Sequence, residues 1–153
     1  MIDLEEINRA VCEKFSTAIA AAGTGATLVA EDLDRPIQRP CGKVRLEDGS
    51  DSRMLQSGRE RTLLFRLYYF AADRDRPKLE NLAMRQALGD AFLDGFQAGD
   101  LWISPEEGLS FSVTEDGVLT AALDLTLYEG EPDAGEVDAE PMEELIMEME
   151  GNL

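Results

Sequence analysis

The chain has 153 residues with 14 Lys and Arg against 32 Asp and Glu, no histidine, and a net charge of −18. That length fits one domain, and that charge repels nucleic-acid phosphates and anionic lipid, which find no counterions to exchange. The charge is unevenly placed: ten acids and no base lie between Glu129 and Glu150, while twelve of the bases lie between Arg35 and Arg85.

The N-terminus has neither a basic nor an apolar leader region, and no run reaches the roughly 18 apolar residues of a membrane span, so a soluble cytoplasmic product with no membrane partner is expected. Leu4, Ile7, Val11, Phe15, Ala18, Ile19 and Ala22 recur at helical spacing and predict a helix over 3–22. Asp3 is its candidate N-cap and Gly23-Thr24-Gly25 its stop. A short strand is predicted at 26–31, and Pro36 and Pro40 bracket a loop. From Cys41 to Glu47 apolar Val44 and Leu46 alternate with Lys43, Arg45 and Glu47, which predicts a strand. Residues 48–58 are rich in turn formers and read as a long mobile hairpin loop. Residues 59–70 predict the longest early strand. Leu63, Phe65, Leu67 and Tyr69 share one face, and the other face is apolar enough to suggest a central position.

A second helix is predicted over 78–97, with Leu79, Leu82, Ala83, Ala87, Leu88, Ala91, Phe92 and Phe96 as its stripe and Gly99 after its end. Two strands follow, at 109–114 and 118–128, and their register is legible. Leu109, Phe111 and Val113 are apolar at odd positions, as are Leu119, Leu123, Leu125 and Leu127. Directly opposed residues share a face, so odd must pair with odd. A three-residue loop, Glu115-Asp116-Gly117, does this, with Gly117 left-handed in a G1 bulge. The order helix, strands, helix, strands predicts an α+β fold, a largely antiparallel sheet with two helices on one face. The division expected is a folded body over 1–129 and an acidic linker with a short amphipathic C-terminal segment over 130–153.

In that segment Met142, Leu145, Ile146 and Met149 follow i, i+3, i+4, i+7 after Pro141. A helix so short is marginal alone; if ordered, it should dock on its own body, on a neighbouring subunit or partner, or as a strand on a sheet edge.

Little points to catalysis. Gly23-Thr24-Gly25 lacks the residues of a phosphate-binding loop, the carboxylates around Asp48 and Asp51 miss the spacing of a calcium loop, and Ser and Cys nucleophiles have no His to activate them. Cys12 and Cys41 read as small buried hydrophobes. No catalytic, cofactor-binding or metal-binding residue is assigned, and no cofactor is expected. The basic residues Arg39, Lys43, Arg45, Arg53, Arg59, Arg61 and Arg66 fall on two adjacent strands and their loop. They are either a solvated face paired with acids such as Glu47 and Glu60, or a subunit or partner surface, for which the planar guanidinium is well suited.

Four segments together resemble the phage tail terminator family of tailed phages and prophages of Gram-positive bacteria: Arg39-Pro40-Cys41; Arg59-Glu60-Arg61 leading into Leu67-Tyr68-Tyr69-Phe70; Asp116-Gly117-Val118-Leu119 leading into Leu123-Asp124-Leu125; and Pro141-Met142-Glu143-Glu144-Leu145. Glu80-Asn81-Leu82 also sits in the expected helix. The resemblance implies a small α+β structural protein of the virion tail, assembled in the bacterial host cytoplasm. It implies a ring, hexameric by expectation, that caps the head-proximal end of the tail tube and ends its polymerisation. Its partners would be further copies of itself, the tail tube protein and the head–tail connector protein, with DNA passing through unbound. An opposed basic strand face and acidic tail would let copies meet head to tail, with Met142, Leu145, Ile146 and Met149 at or near the boundary. The 48–58 loop would face the tube or lumen. The other class open to such a chain is an acidic binding module, a DNA mimic or inhibitor acting on a basic protein.

Overall fold

The first apolar stripe of the chain becomes α1 (Leu4–Ala22) in the computed structural model, which describes residues 2–29, 37–54, 58–105 and 108–130. Ile7, Ala10, Val11, Phe15, Ala18 and Ile19 are the buried face. Asp3 has the extended backbone of an N-cap but makes no side-chain cap bond; Glu5 and Glu6 supply the negative charge that the helix dipole favours there. At the other end Gly23 is left-handed at φ 70°, and its N–H reaches the Ile19 and Ala20 carbonyls.

Next come β1 (Thr27–Val29), β2 (Cys41–Met54) and β3 (Gly58–Phe70). After them lie α2 (Lys78–Phe92), β4 (Phe96–Ala98), β5 (Leu101–Ile103), β6 (Leu109–Val113) and β7 (Leu119–Gly130). The main sheet has the order β1-β2-β3-β7-β6, parallel only between β1 and β2. β4 and β5 form a separate hairpin. The architecture is α+β, with both helices packed on one sheet face. β3 is central, as its two apolar faces suggested: its odd residues Leu63, Phe65, Leu67 and Tyr69 are buried under the helices, and its even residues are half-buried on the other side.

Gly42 sets the approach of helix to sheet. A Cβ there would come within 2.8 Å of the Phe15 ring, so only glycine lets that ring lie on β2. The β6–β7 register is odd with odd, Leu109 opposite Leu123 and Val113 opposite Leu119. The Thr114 N–H donates to Val118 O, the Gly117 N–H to Thr114 O, and Gly117 has φ 82°. The expected three-residue G1 turn is therefore the one present.

Two expectations are corrected. Residues 48–54 are not loop. β2 continues to Met54, paired with β3 as far as Met54 opposite Gly58. The reason is a bulge: Leu46 opposes Phe65 and Asp48 opposes Leu64, so Glu47 is an extra residue. It reverses which residues face the helices, which hides the alternation beyond it. The second correction is to α2, which ends at Phe92; Gly95, at φ 92°, turns the chain and Phe96 belongs to β4. Its buried face is Asn81, Met84, Ala87, Leu88 and Phe92, while Leu79 and Leu82 are 78% and 52% exposed.

Candidate functional site

The bulge at Glu47 decides where the basic residues go. Before it, Lys43 and Arg45 stand opposite Tyr68 and Arg66, on the sheet face away from the helices. Beyond it, Arg53 stands opposite Arg59, and Asp51 opposite Arg61, on the helix side. Arg39 lies near the end of β3, donating to the Ala71 carbonyl at 3.1 Å with its guanidinium 5.6 Å from the Phe70 ring centroid. The cluster is thus brought to three places. Arg53, Arg59 and Arg61 share one, Lys43, Arg45 and Arg66 another, and Arg39 a third. Met142, Leu145, Ile146 and Met149 lie outside the described residues.

The helix-side group is knit to acids. Arg59 Nη2 is 3.1 Å from Asp51 Oδ2. Arg61 is 4% exposed; its Nη1 donates to the Ile2 carbonyl at 2.8 Å and lies 3.6 Å from Glu129 Oε1, and its Nε is 3.3 Å from Asp51 Oδ1. The contacts to Asp51 and Glu129 are ionic, lacking hydrogen-bond geometry. Arg61 therefore ties the start of α1, the extended ribbon of β2 and β3, and the end of β7 into one unit. A buried guanidinium with these partners serves the fold before it can serve a partner.

On the outer face Glu47 accepts hydrogen bonds from Arg66 Nε at 2.7 Å and from the Tyr68 hydroxyl. The Tyr68 bond first, then that from Arg66, holds the Glu47 carboxyl below the usual glutamate range. Burial, then the bond to Glu47, pushes the Tyr68 phenol up. Glu47 is also the bulge residue, so the irregularity re-aims a carboxylate onto this face. Its pairing was anticipated; its bulge had no local sign beyond the lapse of alternation after Leu46.

A third feature escaped the sequence reading. Because α2 is turned, Leu82 and Arg85 face β6 across a groove of about 360 Å³ whose walls also include Lys78, Phe111, Val113 and Leu119. The Arg85 guanidinium lies over Phe111, 5.1 Å from the ring centroid. Val113 is 56% exposed there. The signal available was the competing series Asn81, Met84, Leu88, offset by one residue from the leucines; a polar residue at its head concealed it.

Nothing in the described residues builds a reaction site. Cys12 is half-buried and Cys41 buried, both free, and burial pushes both thiols up, away from nucleophilic thiolate. Among the described residues no group of three or more His, Cys, Asp or Glu is placed to hold a metal, and no helix is long and apolar enough to cross a membrane.

The chain is similar to a chain of the virion of a native gene transfer agent particle, at 16% identity and TM-score 0.47, covering 81% of this chain and 94% of that one. A second solved chain, whose name states no function, compares at 14% identity and TM-score 0.45, covering 86% and 97%. A search of curated proteins finds no match. A family model described as phage tail terminator protein matches residues 6–136, which take in α1 from its third residue, α2, both sheets and the turn at Gly117. The chain belongs to the phage tail terminator family and is a structural protein of a phage virion tail.

Proposed function

We propose that the protein assembles as a ring at the head-proximal end of the tail tube, ends tube polymerisation and joins the tail to the head connector. Family membership over residues 6–136 is the observation that carries this reading. The fold is compatible with it. A closed ring needs two different patches on each copy, so that one meets the other on its neighbour, and among the described residues the sheet has unlike edge strands, β1 on one side and β6 on the other. Six copies is the number the family resemblance suggests. The ribbon formed by residues 48–54 of β2 and the start of β3 is the element proposed to reach the tube or lumen; its β2 strand is exposed throughout. A net charge of −18 suits a conduit, since DNA gains no counterion release from an acidic wall. In this role the protein is not an enzyme, and its partners are its own copies, the tube protein and the connector.

The test is to polymerise purified tail tube protein with and without this chain. Tube lengths are read by electron microscopy and masses by light scattering. The reading predicts short tubes with added density at one end, and a ring-sized mass alone or on the tube. Tubes of unchanged length with no bound chain would overturn it. The acidic-module alternative predicts a monomer that binds basic proteins generally, which the same light-scattering series detects.

A further inference from the structure

We propose that the groove between α2 and β6 receives residues 141–150 of a neighbouring copy. The groove is apolar along Leu82, Phe111, Val113 and Leu119, with Lys78 and Arg85 on its α2 side and no carboxylate among its lining residues. The segment 141–150 carries the complement: Met142, Leu145, Ile146 and Met149 to fill it, and Glu143, Glu144, Glu148 and Glu150 to meet the two cations. Apolar side chains supply the affinity, while the charges fix orientation and speed the encounter.

Chain length favours a neighbour over the chain's own tail. β7 ends at Gly130, opposite Gly58, whereas Leu119, which lines the groove, stands opposite Tyr69 at the other end of β3. The strand between Leu119 and Gly130 covers roughly 36 Å. The residues from Gly130 to Met142 span at most about 43 Å when fully drawn out. Returning to its own groove would consume nearly all of that length. A second copy placed with its groove near the first copy's Gly130 needs no such extension. Among the described residues β6 also stands at the sheet's edge, beside the groove, so a neighbour's segment can approach from outside.

The inference rests on the ring reading only in requiring a second copy alongside. Full-length chains carrying Leu82→Cys or Leu145→Cys are mixed and treated with a short bismaleimide, with the unsubstituted chain and a Leu93→Cys chain as controls. Leu82 and Leu93 are both well exposed, so neither change should disturb folding. The expected result is a covalent dimer containing one chain of each kind, absent from both controls. Its yield should fall about tenfold when Arg85→Glu is added to the Leu82→Cys chain. An equal yield with Leu93→Cys, or no mixed dimer, would overturn the proposal. An intramolecular link in a Leu82→Cys/Leu145→Cys chain, without mixed dimers, would overturn it in favour of the chain's own tail. Light scattering on the same samples reports ring assembly independently, so a ring without the cross-link sinks the docking and leaves the terminator role standing.

Discussion

Glu129 Oε1 lies 3.6 Å from Arg61 Nη1, which joins the first carboxylate of the acidic C-terminal run to the most buried member of the basic cluster. In sequence these two belong to opposite patches, expected to meet between copies. In the fold they meet within one chain, diagonally across the ladder where Arg59 opposes Glu129 and Arg61 opposes Leu127.

Arg61→Met should therefore act as a stability variant. It leaves Glu129, only 11% exposed, without its cation and frees the Ile2 carbonyl that anchors the start of α1. Breaking one side of a buried pair costs about 3 kcal/mol or more. Urea denaturation should show that loss, and Arg61→Met/Glu129→Gln should regain at least about 1 kcal/mol of it. No recovery in the double variant would mean that the charge left behind on Glu129 is not the source of the loss.

A second anchor is the Tyr69 hydroxyl, which donates to Glu80 Oε2 at 2.6 Å while the Ala72 N–H donates to the same oxygen at 2.8 Å. It fastens the first turn of α2 to the end of β3. Tyr69→Phe should cost about 1.5–3 kcal/mol, the usual range for a hydrogen bond to a charged group. Burial, then the bond to Glu80, pushes the Tyr69 phenol well above the usual tyrosine range. The unfolded chain thus loses this proton first, near pH 10, so its contribution is full below that pH and declines as pH rises past it. Tyr69→Phe should lose less stability than the unsubstituted chain between about pH 9 and 11.

The same contrast marks what the sequence could reveal. Wherever apolar residues kept strict period, the reading reached the register: α1, the central place of β3 and the Gly117 turn all followed from spacing. It failed at Glu47, because one inserted residue exchanges the two faces and everything beyond looks like a polar loop. It failed again on α2, where Leu79 and Leu82 are exposed and Asn81 is buried. Asn81 is accounted for by a tertiary partner, its Nδ2 donating to Gly117 O at 3.0 Å, which helical spacing cannot reveal. The grouping of the basic residues depended on the bulge, and the groove depended on the rotation of α2.

Glu47→Gln tests the outer-face network. The hydrogen bonds from Tyr68 and Arg66 hold the Glu47 carboxyl below its ordinary range, so its contribution exists above the unfolded value near 4.3 and is lost as pH falls through the lower folded value. At 27% exposure water screens the pair, so the cost at pH 7 should be no more than about 1 kcal/mol. The difference between the two chains should shrink below about pH 4. A gap that persists at pH 3 would assign the loss to packing at the bulge instead of charge.

Two glycines give opposite predictions for the same substitution. Gly117 has φ 82°, its carbonyl accepts the Asn81 bond, and an added Cβ would stand 2.9 Å from Pro77 Cγ. Gly117→Ala must strain the backbone and push Pro77 away from the start of α2, which should cost about 1–3 kcal/mol and lower Tm. Gly89 lies inside α2 with nothing within 4 Å of an added Cβ. Gly89→Ala should raise stability by about 0.4–1 kcal/mol, because it restricts the unfolded chain and suits the helix. Thermal melts of both variants at one pH decide the matter. If Gly89→Ala destabilised the protein as Gly117→Ala does, that face of α2 would have to be covered in solution, and a subunit contact on α2 would be the first place to look.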